Sequence, residues 1–380
     1  MLDWITQRGV TPIGLDIGSS SIKMVQFSTG GALSVIASGQ YALPDDLTPR
    51  DEQYRAVVIE GIGKLLESSP FRGRQVVATV PNRMLQFKNI RLPQMPPADQ
   101  AEAVQWEAVE RFQLEDKQAV VQYLNAGEVR HGQDTKDEVI LMAAMQQSID
   151  DHTHMLVDAG LQLTALEPMP IAVARSFARL LRREADRNEV RVCVEIGRSG
   201  SNVIILRGSR VMFFKPVEIG GTQINNAVAE HLDLSVADAT ELRSKLAAAG
   251  DDEQCDTEQL FGSTRRENVR RAVFEAVRPI IGDLANEVGL CLRYYSVTFR
   301  GQRPNQVLLT GGESHDPTFQ TLMGEQLEAD VQMFDPLDGI DLSSDQVAIE
   351  RRGRRTEWTV ATGLALRPAA SAAARLRGAA

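Results

Sequence analysis

Cysteine is scarce in this sequence: Cys193, Cys255 and Cys291 are the three in 380 residues, and no two of them form a Cys-x-x-Cys pair. Small disulfide-stapled domains and structural zinc sites need closely spaced cysteines or histidines. Neither class fits this chain. An odd and sparse set of thiols is typical of a protein of the reducing cytoplasm whose cysteines are buried.

Histidine is nearly as scarce, with five residues in the chain. His152 and His154 stand two positions apart in a predicted helix, and this spacing places them on different faces. A metal site at this pair is the alternative, but the pattern favours two histidines on a solvated surface.

Positive charge is also lacking, because 51 acidic residues outnumber 41 basic ones and give a formal net charge of −10. A protein that binds nucleic acid without sequence preference needs a basic face that displaces counterions from phosphates. That class of protein is therefore excluded. The basic run Arg351–Arg355 is interpreted as a solvated loop, with a binding patch as the alternative.

Long apolar runs are missing as well. The sequence contains no stretch of about 18 apolar residues, so it predicts no bilayer-spanning helix. The first twelve residues, MLDWITQRGVTP, lack the apolar centre of a secretory signal peptide. The sequence therefore predicts a cytoplasmic protein.

The composition that is present, 43% hydrophobic and 24% charged, is that of a soluble globular protein. A chain of 380 residues exceeds the size of one ordinary hydrophobic core, so two or more lobes are expected. Strand patterns alternate with helical ones, including a helix at 54–67 and a long helix at 268–296. The sequence therefore predicts an α/β protein.

One short segment, IGLDIGSSSIKMVQF at 13–27, places small residues between two apolar runs. Glycine and serine let backbone N–H groups approach a phosphate, and a lysine supplies the opposing charge. A carboxylate suits hydrated Mg²⁺, which is held through one or two such groups. Asp16 would hold the metal, and Lys23 would bind the phosphate. The backbone that surrounds the phosphate would come from Gly18, Ser19, Ser20 and Ser21. A β-hairpin with a serine-rich turn would look much the same.

The same pattern returns in VCVEIGRSGSNVIIL at 192–206, and a later strand ends in LLTGG. Each hairpin would contribute half of a phosphate clamp between two lobes. The double glycine, Gly311 and Gly312, would admit an adenine close to the backbone. The combination predicts a nucleotide-binding cleft where the single motif does not.

These three segments, in this order, resemble the actin/Hsp70 ATPase superfamily. The runs LDIGSSSIKMVQF, VVATVPNRMLQFKNIRLPQM, AVQWEAVERFQLE, LTALEPMPIAVAR, KPVEIGGTQI and NQVLLTGGES together resemble the family of type IV pilus assembly protein PilM, which is similar to the cell-division protein FtsA. The resemblance covers about residues 10–367. It implies a two-lobed actin-like (ribonuclease H-like) ATPase fold with an inserted subdomain of the FtsA/PilM type.

The domain boundaries implied by the resemblance follow the chain in order. The first lobe would comprise residues 10–73 and 148–188, with the inserted subdomain at 74–147 between them. The second lobe would cover 189–367. The tail, 368–380, is low in complexity and is expected to be disordered.

The resemblance also implies site residues for ATP and Mg²⁺. The first phosphate motif matches Asp16, Gly18, Ser19, Ser20 and Lys23, and the second matches Glu195, Gly197, Ser199 and Gly200. The adenosine motif matches Gly311, Gly312 and Glu313, with Arg243 near the adenine. Asp16 and Glu195 would hold the metal.

Two further positions carry alternatives. Glu167 lies on the connecting segment, where a polar group can orient the attacking water, but it could instead cap the following helix. The second phosphate motif usually begins with aspartate, and the extra methylene of Glu195 would disturb Mg²⁺ geometry. Arg198 in the same bend would be a charge clamp or point to solvent, and solvent is favoured. ATP binding is therefore expected rather than brisk hydrolysis.

The inserted subdomain is expected to bind the N-terminal cytoplasmic peptide of a PilN-like inner-membrane protein. Trp106 lies off the apolar face of its helix and suits peptide capture, although it could pack against the neighbouring lobe. Self-association of the chain is left open. The expected function is a cytoplasmic ATP-binding scaffold of a type IV pilus inner-membrane platform, peripheral to that membrane through its partner.

Two other functions are compatible with the fold. A sugar kinase would need a catalytic aspartate in a sugar cleft, and the sequence shows no such motif. A nucleotide-independent component of a type II secretion or competence system is the other alternative. The lack of a membrane anchor speaks against its secretion version.

Overall fold

The computed structural model describes residues 9–113, 119–131, 134–181, 183–248, 263–301, 303–304, 306–343, 349 and 355–368. Residues 249–262 with Cys255, the arginines of 351–354 and residues 369–380 lie outside the described residues.

The first lobe is built on a five-stranded sheet of order β3-β2-β1-β4-β8. Its strands are β1 Ile13–Ile17, β2 Ser21–Ser28, β3 Ser34–Ala42, β4 Gln75–Val80 and β8 Gln162–Pro168. The first three strands are antiparallel, whereas β1, β4 and β8 run parallel. The accompanying helices are α1 Tyr54–Ser68, α3 Gln146–Asp158 and α4 Met169–Ala178. Parallel strands need helical crossovers, which these helices provide.

The second lobe repeats this topology in a sheet of order β11-β10-β9-β12-β13. Its strands are β9 Val190–Ile196, β10 Ser201–Arg207, β11 Arg210–Val217, β12 Gln306–Thr310 and β13 Asp330–Met333. Its helices are α5 Gly221–Leu232, α6 Val236–Ala248, α7 Ser263–Phe299 and α8 Pro317–Leu327. The same antiparallel hairpin followed by parallel strands occurs in both lobes. This duplication confirms the predicted two-lobed actin-like architecture.

A separate antiparallel sheet interrupts the first lobe. Its order is β5-β7-β6, and its elements are β5 Gln86–Pro93, α2 Pro97–Phe112, β6 Ala119–His131 and β7 Asp134–Met145. One face packs against α2 through side chains such as Leu141, and the other face carries Ile140 into a core shared with the lobes. Strand β4 belongs to the sheet of the first lobe, so the separate sheet begins at Gln86 and not at the predicted residue 74.

The last helix, α9 Thr359–Ala365, returns to the first lobe and packs against β1 and α4. Glycine allows this close approach at two points. A Cβ on Gly14 would lie 2.0 Å from the carbonyl oxygen of Ala361, and one on Gly363 would lie 1.8 Å from that of Ala172. The predicted second lobe, 189–367, is therefore wrong at its end, because contacts between residues far apart in sequence carry the chain back to the first lobe.

None of the described helices combines the length and the apolar character that crossing a bilayer requires. The long helix predicted over 268–296 is confirmed and extends to Ser263–Phe299. Its inward face supplies Val273, Ile281 and Leu292 to the core of the second lobe.

His152 is buried, contrary to the solvated surface predicted for it. Its side chain is 2% exposed, and its Nε2 lies 3.2 Å from the carbonyl oxygen of Thr79. Burial lowers the pKa of His152 from 6.5 to about 4; the Thr79 contact opposes this and the charge of Arg83 adds to it. His154 is exposed, as predicted. Among the described residues no group of three or more metal-ligating side chains is found.

We expect His152 to make the protein sensitive to acid. The native state keeps the ring neutral until about pH 4, whereas the unfolded chain protonates it near pH 6.5. The unfolded state therefore binds the extra proton between these values, and stability falls as the pH falls through that window. His152→Gln should reduce the loss of unfolding free energy between pH 7 and pH 5 by about 2 kcal/mol.

The measurement is denaturant unfolding at both pH values, and His154→Gln is the matched control because that side chain is exposed. If the control and His152→Gln lose stability equally on acidification, His152 is not the group that titrates.

Candidate functional site

A pocket between the two lobes brings together the three glycine-bearing segments. Its lining comes from the bend after β1, the bend after β9, the turn after β12 and the start of α9, and comprises Asp16, Gly18, Ser19, Ser20, Lys23, Glu195, Gly197, Arg198, Gly311, Gly312, Glu313, Thr356, Glu357, Thr359 and Val360. Ten of the predicted site residues therefore meet in one cleft. Ser21, Ser199, Gly200, Arg243 and Glu167 are the predicted residues that do not line it.

The first bend is closed by a backbone hydrogen bond from the Gly18 N–H to the Ser21 carbonyl oxygen, at 3.0 Å. Lys23 stands opposite Asp16 in the register of β1 and β2, so both side chains project on one side of the hairpin. Lys23 is 8% exposed, and its Nζ donates to Ser21 Oγ at 2.7 Å. Ser21 therefore positions the lysine from behind while Ser19 and Ser20 face the pocket.

The second bend has the same closure, from the Gly197 N–H to the Gly200 carbonyl oxygen at 3.0 Å. Gly200 serves packing, since a Cβ there would lie 2.8 Å from the Val217 carbonyl oxygen. The bend also rests on the start of α5, where the Gly221 N–H donates to Gly197 at 3.1 Å. Ser199 is exposed and does not line the pocket.

Two carboxylates, Asp16 and Glu195, enter the cleft from opposite lobes. Desolvation raises the pKa of Asp16 above its usual value, and the charge of Lys23 opposes this. Desolvation also raises the pKa of Glu195 to about 7; the hydrogen bond from Asn202 lowers it, and the nearby Asp16 raises it. One lysine does not balance the negative charge of two desolvated carboxylates. A hydrated Mg²⁺, which is held through one or two carboxylates, fits this set of ligands.

Glu195 is fixed by a hydrogen-bonded chain that crosses the lobes. Asn202 Nδ2 donates to Glu195 Oε2 at 2.7 Å, and Asn82 Nδ2 donates to Asn202 Oδ1 at 2.7 Å. Asn82 follows β4 of the first lobe, whereas Asn202 lies on β10 of the second. Sequence reasoning missed both asparagines: Asn82 lies outside the glycine motifs, and Asn202 lies inside the second one but was given no role.

The turn after β12 requires its first glycine. Gly311 has φ 93°, and a Cβ there would lie 2.4 Å from the Ile196 carbonyl oxygen, so the turn fits against the second bend only without a side chain. Gly312 has open space beside it. Arg243 is buried behind this turn, where it donates to Glu313 Oε2 at 3.0 Å and to Asn225. Arg243 thus holds Glu313 and does not itself line the cleft.

The start of α9 contributes pocket residues that the sequence did not reveal. Thr356 Oγ1 donates to the Gly311 carbonyl oxygen at 2.9 Å, which ties this segment to the double-glycine turn. Glu357 contacts His315 Nε2 at 2.6 Å. Burial raises the pKa of Glu357, but the hydrogen bond and charge of His315 and the charge of Lys23 outweigh it, so the net pKa is lowered. The signal available was the small and hydroxyl-rich run TEWTVATG.

Glu167 lies at the end of β8, away from the pocket lining. Its carboxylate accepts from Arg175 at 2.8 and 3.0 Å and from Arg367 at 2.7 Å, so both oxygens are held by guanidinium groups. The alternative role as a helix cap is also unsupported, since α4 begins at Met169 after Pro168 with no capping side chain. Through its contact with Arg367, Glu167 links the end of β8 to the segment that follows the last helix.

Trp106 is 69% exposed on α2. The face of α2 that packs on the sheet carries Val104, Ala108 and Phe112 instead. The predicted alternative, in which Trp106 packs against the neighbouring lobe, is therefore wrong.

Comparisons with known proteins agree with this geometry. The solved PilM-PilN type IV pilus biogenesis complex contains a chain that is 23% identical, with a TM-score of 0.75, and the match covers 94% of this chain and 98% of that one. The ethanolamine utilization protein EutJ from Carboxydothermus hydrogenoformans is 16% identical with a TM-score of 0.53, covering 93% of this chain and 89% of that one. These likenesses show a shared fold. The sequence model of the family described as type IV pilus assembly protein PilM matches residues 14–369. The chain therefore belongs to the PilM family of type IV pilus assembly proteins.

Proposed function

We propose that this chain is a nucleotide-binding scaffold of a type IV pilus inner-membrane assembly platform. In this proposal its cleft binds ATP with Mg²⁺, and a PilN-like membrane protein docks its N-terminal cytoplasmic peptide on the separate sheet. The protein would then act in the cytoplasm, beside the inner membrane. The observation that carries the proposal is the meeting of two glycine bends, one from each lobe, over one pocket with Lys23 and two carboxylates.

Each part of the cleft suits one part of a nucleotide. The bends that begin at Gly18 and Gly197 carry no side chain at these positions, so their backbone can approach phosphate oxygens closely. The N–H groups of Gly18 and Gly197 close the bends themselves, so the phosphate contacts would come from the residues that follow them. Lys23 supplies a buried positive charge with a single hydrogen-bonded anchor, Ser21 Oγ, among the described side chains. Asp16 and Glu195 would hold Mg²⁺ through its waters, and the metal would offset phosphate charge. Gly311 and Gly312 leave room beside the backbone for a base.

Binding is favoured over rapid turnover for two reasons. Glu195 replaces the aspartate that usually begins the second motif, and its extra methylene moves the carboxylate relative to a metal whose geometry is strict. Glu167, the predicted water-orienting group, is held by Arg175 and Arg367 outside the pocket. Hydrolysis depends on precise placement of the attacking water, so at most a slow ATPase is expected.

Docking of a membrane-protein tail is supported by the surface around Trp106. An exposed tryptophan provides a large apolar contact of the kind that dominates interfaces. Glu102 and Glu110 stand four positions before and after it, on the same side of α2, and both are exposed. Cytoplasmic tails next to a membrane span are enriched in lysine and arginine, so their charge complements this acidic and aromatic surface.

The nucleotide part of the proposal is tested by Lys23→Ala. Removing the buried ammonium should weaken binding of a fluorescent ATP analogue in the presence of Mg²⁺ by roughly 10- to 100-fold, the usual value of one charged hydrogen bond. Lys64→Ala is the matched control, because Lys64 pairs with Glu60 on the surface of α1. Equal affinity of the wild type and Lys23→Ala, with both folded, would show that the nucleotide does not bind at Lys23. No binding by either protein would favour the nucleotide-independent alternative.

Glu167→Gln separates a structural from a catalytic role for this residue in the same assay. Loss of the charge that Arg175 and Arg367 share should lower the unfolding free energy by about 2 kcal/mol while the affinity for the ATP analogue is unchanged. A variant that binds ATP normally but loses its residual hydrolysis would show that Glu167 is catalytic, as the resemblance implies.

The docking part is tested by Trp106→Ala. Binding of a synthetic N-terminal PilN-like peptide, measured by fluorescence anisotropy, should weaken by roughly 30-fold if Trp106 is an interface hot spot. Val297→Ala on α7 is the control, since Val297 is a 79% exposed apolar side chain outside the separate sheet. Unchanged peptide affinity in Trp106→Ala would place the docking surface elsewhere.

A further inference from the structure

Arg198 in the second bend forms a clasp with Asp45 of the first lobe. Its Nη1 donates to Asp45 Oδ1 at 2.6 Å, and its Nη2 donates to the Asp45 carbonyl oxygen at 2.8 Å. In the structure Arg198 therefore adopts neither of the two predicted arrangements, the phosphate clamp or the solvent-facing side chain. The guanidinium is engaged by the opposite lobe at the mouth of the cleft.

Both partners of the clasp, Arg198 and Asp45, lie beside the phosphate end of the pocket. Arg198 itself lines the pocket. Asp45 follows β3 in a segment tied to the first bend, where the Leu43 N–H donates to the Ser20 carbonyl oxygen at 2.9 Å. The two partners thus flank the first and second bends and close the cleft between them.

In the structure the Arg198 guanidinium is occupied by Asp45 while it lines the pocket. A phosphate can therefore bind this guanidinium only when the contact with Asp45 is broken.

The backbone of Arg198 is fixed by contacts within the second lobe, whereas its side chain is held by Asp45 of the first lobe. Its carbonyl oxygen accepts from the Thr222 N–H at 2.8 Å, and the Gly197–Gly200 hydrogen bond closes the bend around it. A Cβ on Gly220 would lie 2.8 Å from the same carbonyl oxygen, so the bend is packed tightly against the start of α5. Because its backbone is fixed, the Arg198 side chain can move from the Asp45 carboxylate to a phosphate without a movement of the second lobe.

We propose that Arg198 is a phosphate-binding residue that Asp45 holds across the mouth of the cleft until ATP displaces it. This inference rests on the proposed function, because it assigns a residue to the same nucleotide site. The Asp45 side chain is 73% exposed, so its ion pair is screened by water and is weak. A triphosphate carries more charge and offers bidentate acceptors to the planar guanidinium, so it competes well for Arg198.

The test compares four variants of the full chain for binding of Mg²⁺-ATP and of adenosine. Arg198→Ala should weaken ATP binding by roughly 10- to 100-fold, since a charged hydrogen bond is lost. Asp45→Asn should tighten it by up to about fivefold, since the arginine no longer has to leave a carboxylate. Adenosine affinity should not change in either variant. Asp46→Asn is the matched control, because Asp46 is the exposed neighbour of Asp45.

The double variant Arg198→Ala/Asp45→Asn distinguishes movement of Arg198 from Asp45 to ATP from a purely structural role of the ion pair. If Asp45 acts only by holding Arg198, Asp45→Asn has no effect on ATP affinity in the Arg198→Ala background. Thermal unfolding checks that each variant is folded, and Arg198→Lys, expected to show an intermediate loss, replaces Arg198→Ala if the latter is not.

Three results would overturn the inference. The first is unchanged ATP affinity in Arg198→Ala with a normal loss in Lys23→Ala, which leaves the nucleotide site standing without Arg198. The second is equal weakening by Asp45→Asn and Arg198→Ala, which would make the pair a structural brace. The third is no ATP binding by the wild type, which overturns the proposed function and this inference with it.

Discussion

The cleft depends on an electrostatic constraint: Asp16 and Glu195, from opposite lobes, occupy one desolvated space with a single lysine. Burial raises the pKa of both carboxylates, so their ionised forms are costly in the apo protein. The β1–β2 register sets Asp16 opposite Lys23, and the Asn202 hydrogen bond fixes Glu195. Such an arrangement is stabilised most by a cation and a polyanion together, which is the chemistry of a metal-bound nucleotide.

The same cleft is spanned by contacts that join the lobes, so its closure is linked to the rest of the molecule. The asparagine chain behind Glu195 and the arginine clasp at the mouth are two such contacts. Away from the cleft, the separate sheet also contacts the second lobe, because buried Glu138 accepts from Arg91 and from Tyr294 of α7. This sheet is inserted in the sequence of the first lobe but packs on the second.

Sequence patterns predicted the elements whose signals are local. The two hairpins with glycine bends, the double glycine after β12 and the long α7 each carry a periodicity or a motif within a few residues. The return of α9 to the first lobe could not be predicted, because it depends on Gly14 and Gly363 meeting partners far away in sequence. Glu167 was assigned from its position on the connecting segment, and its arginine at 367 is 200 residues distant. Burial of His152 likewise depends on the packing of α3 against β4, which periodicity alone does not report.

The central claim is that the bends at Gly18 and Gly197 bind one triphosphate from opposite lobes. The most direct measurement is an experimental structure of the chain with a non-hydrolysable ATP analogue and Mg²⁺. The account predicts phosphates between the two bends, with Lys23 on the phosphate side and the base beside Gly311 and Gly312. A nucleotide that contacts only one bend, or one bound outside the cleft, would contradict it.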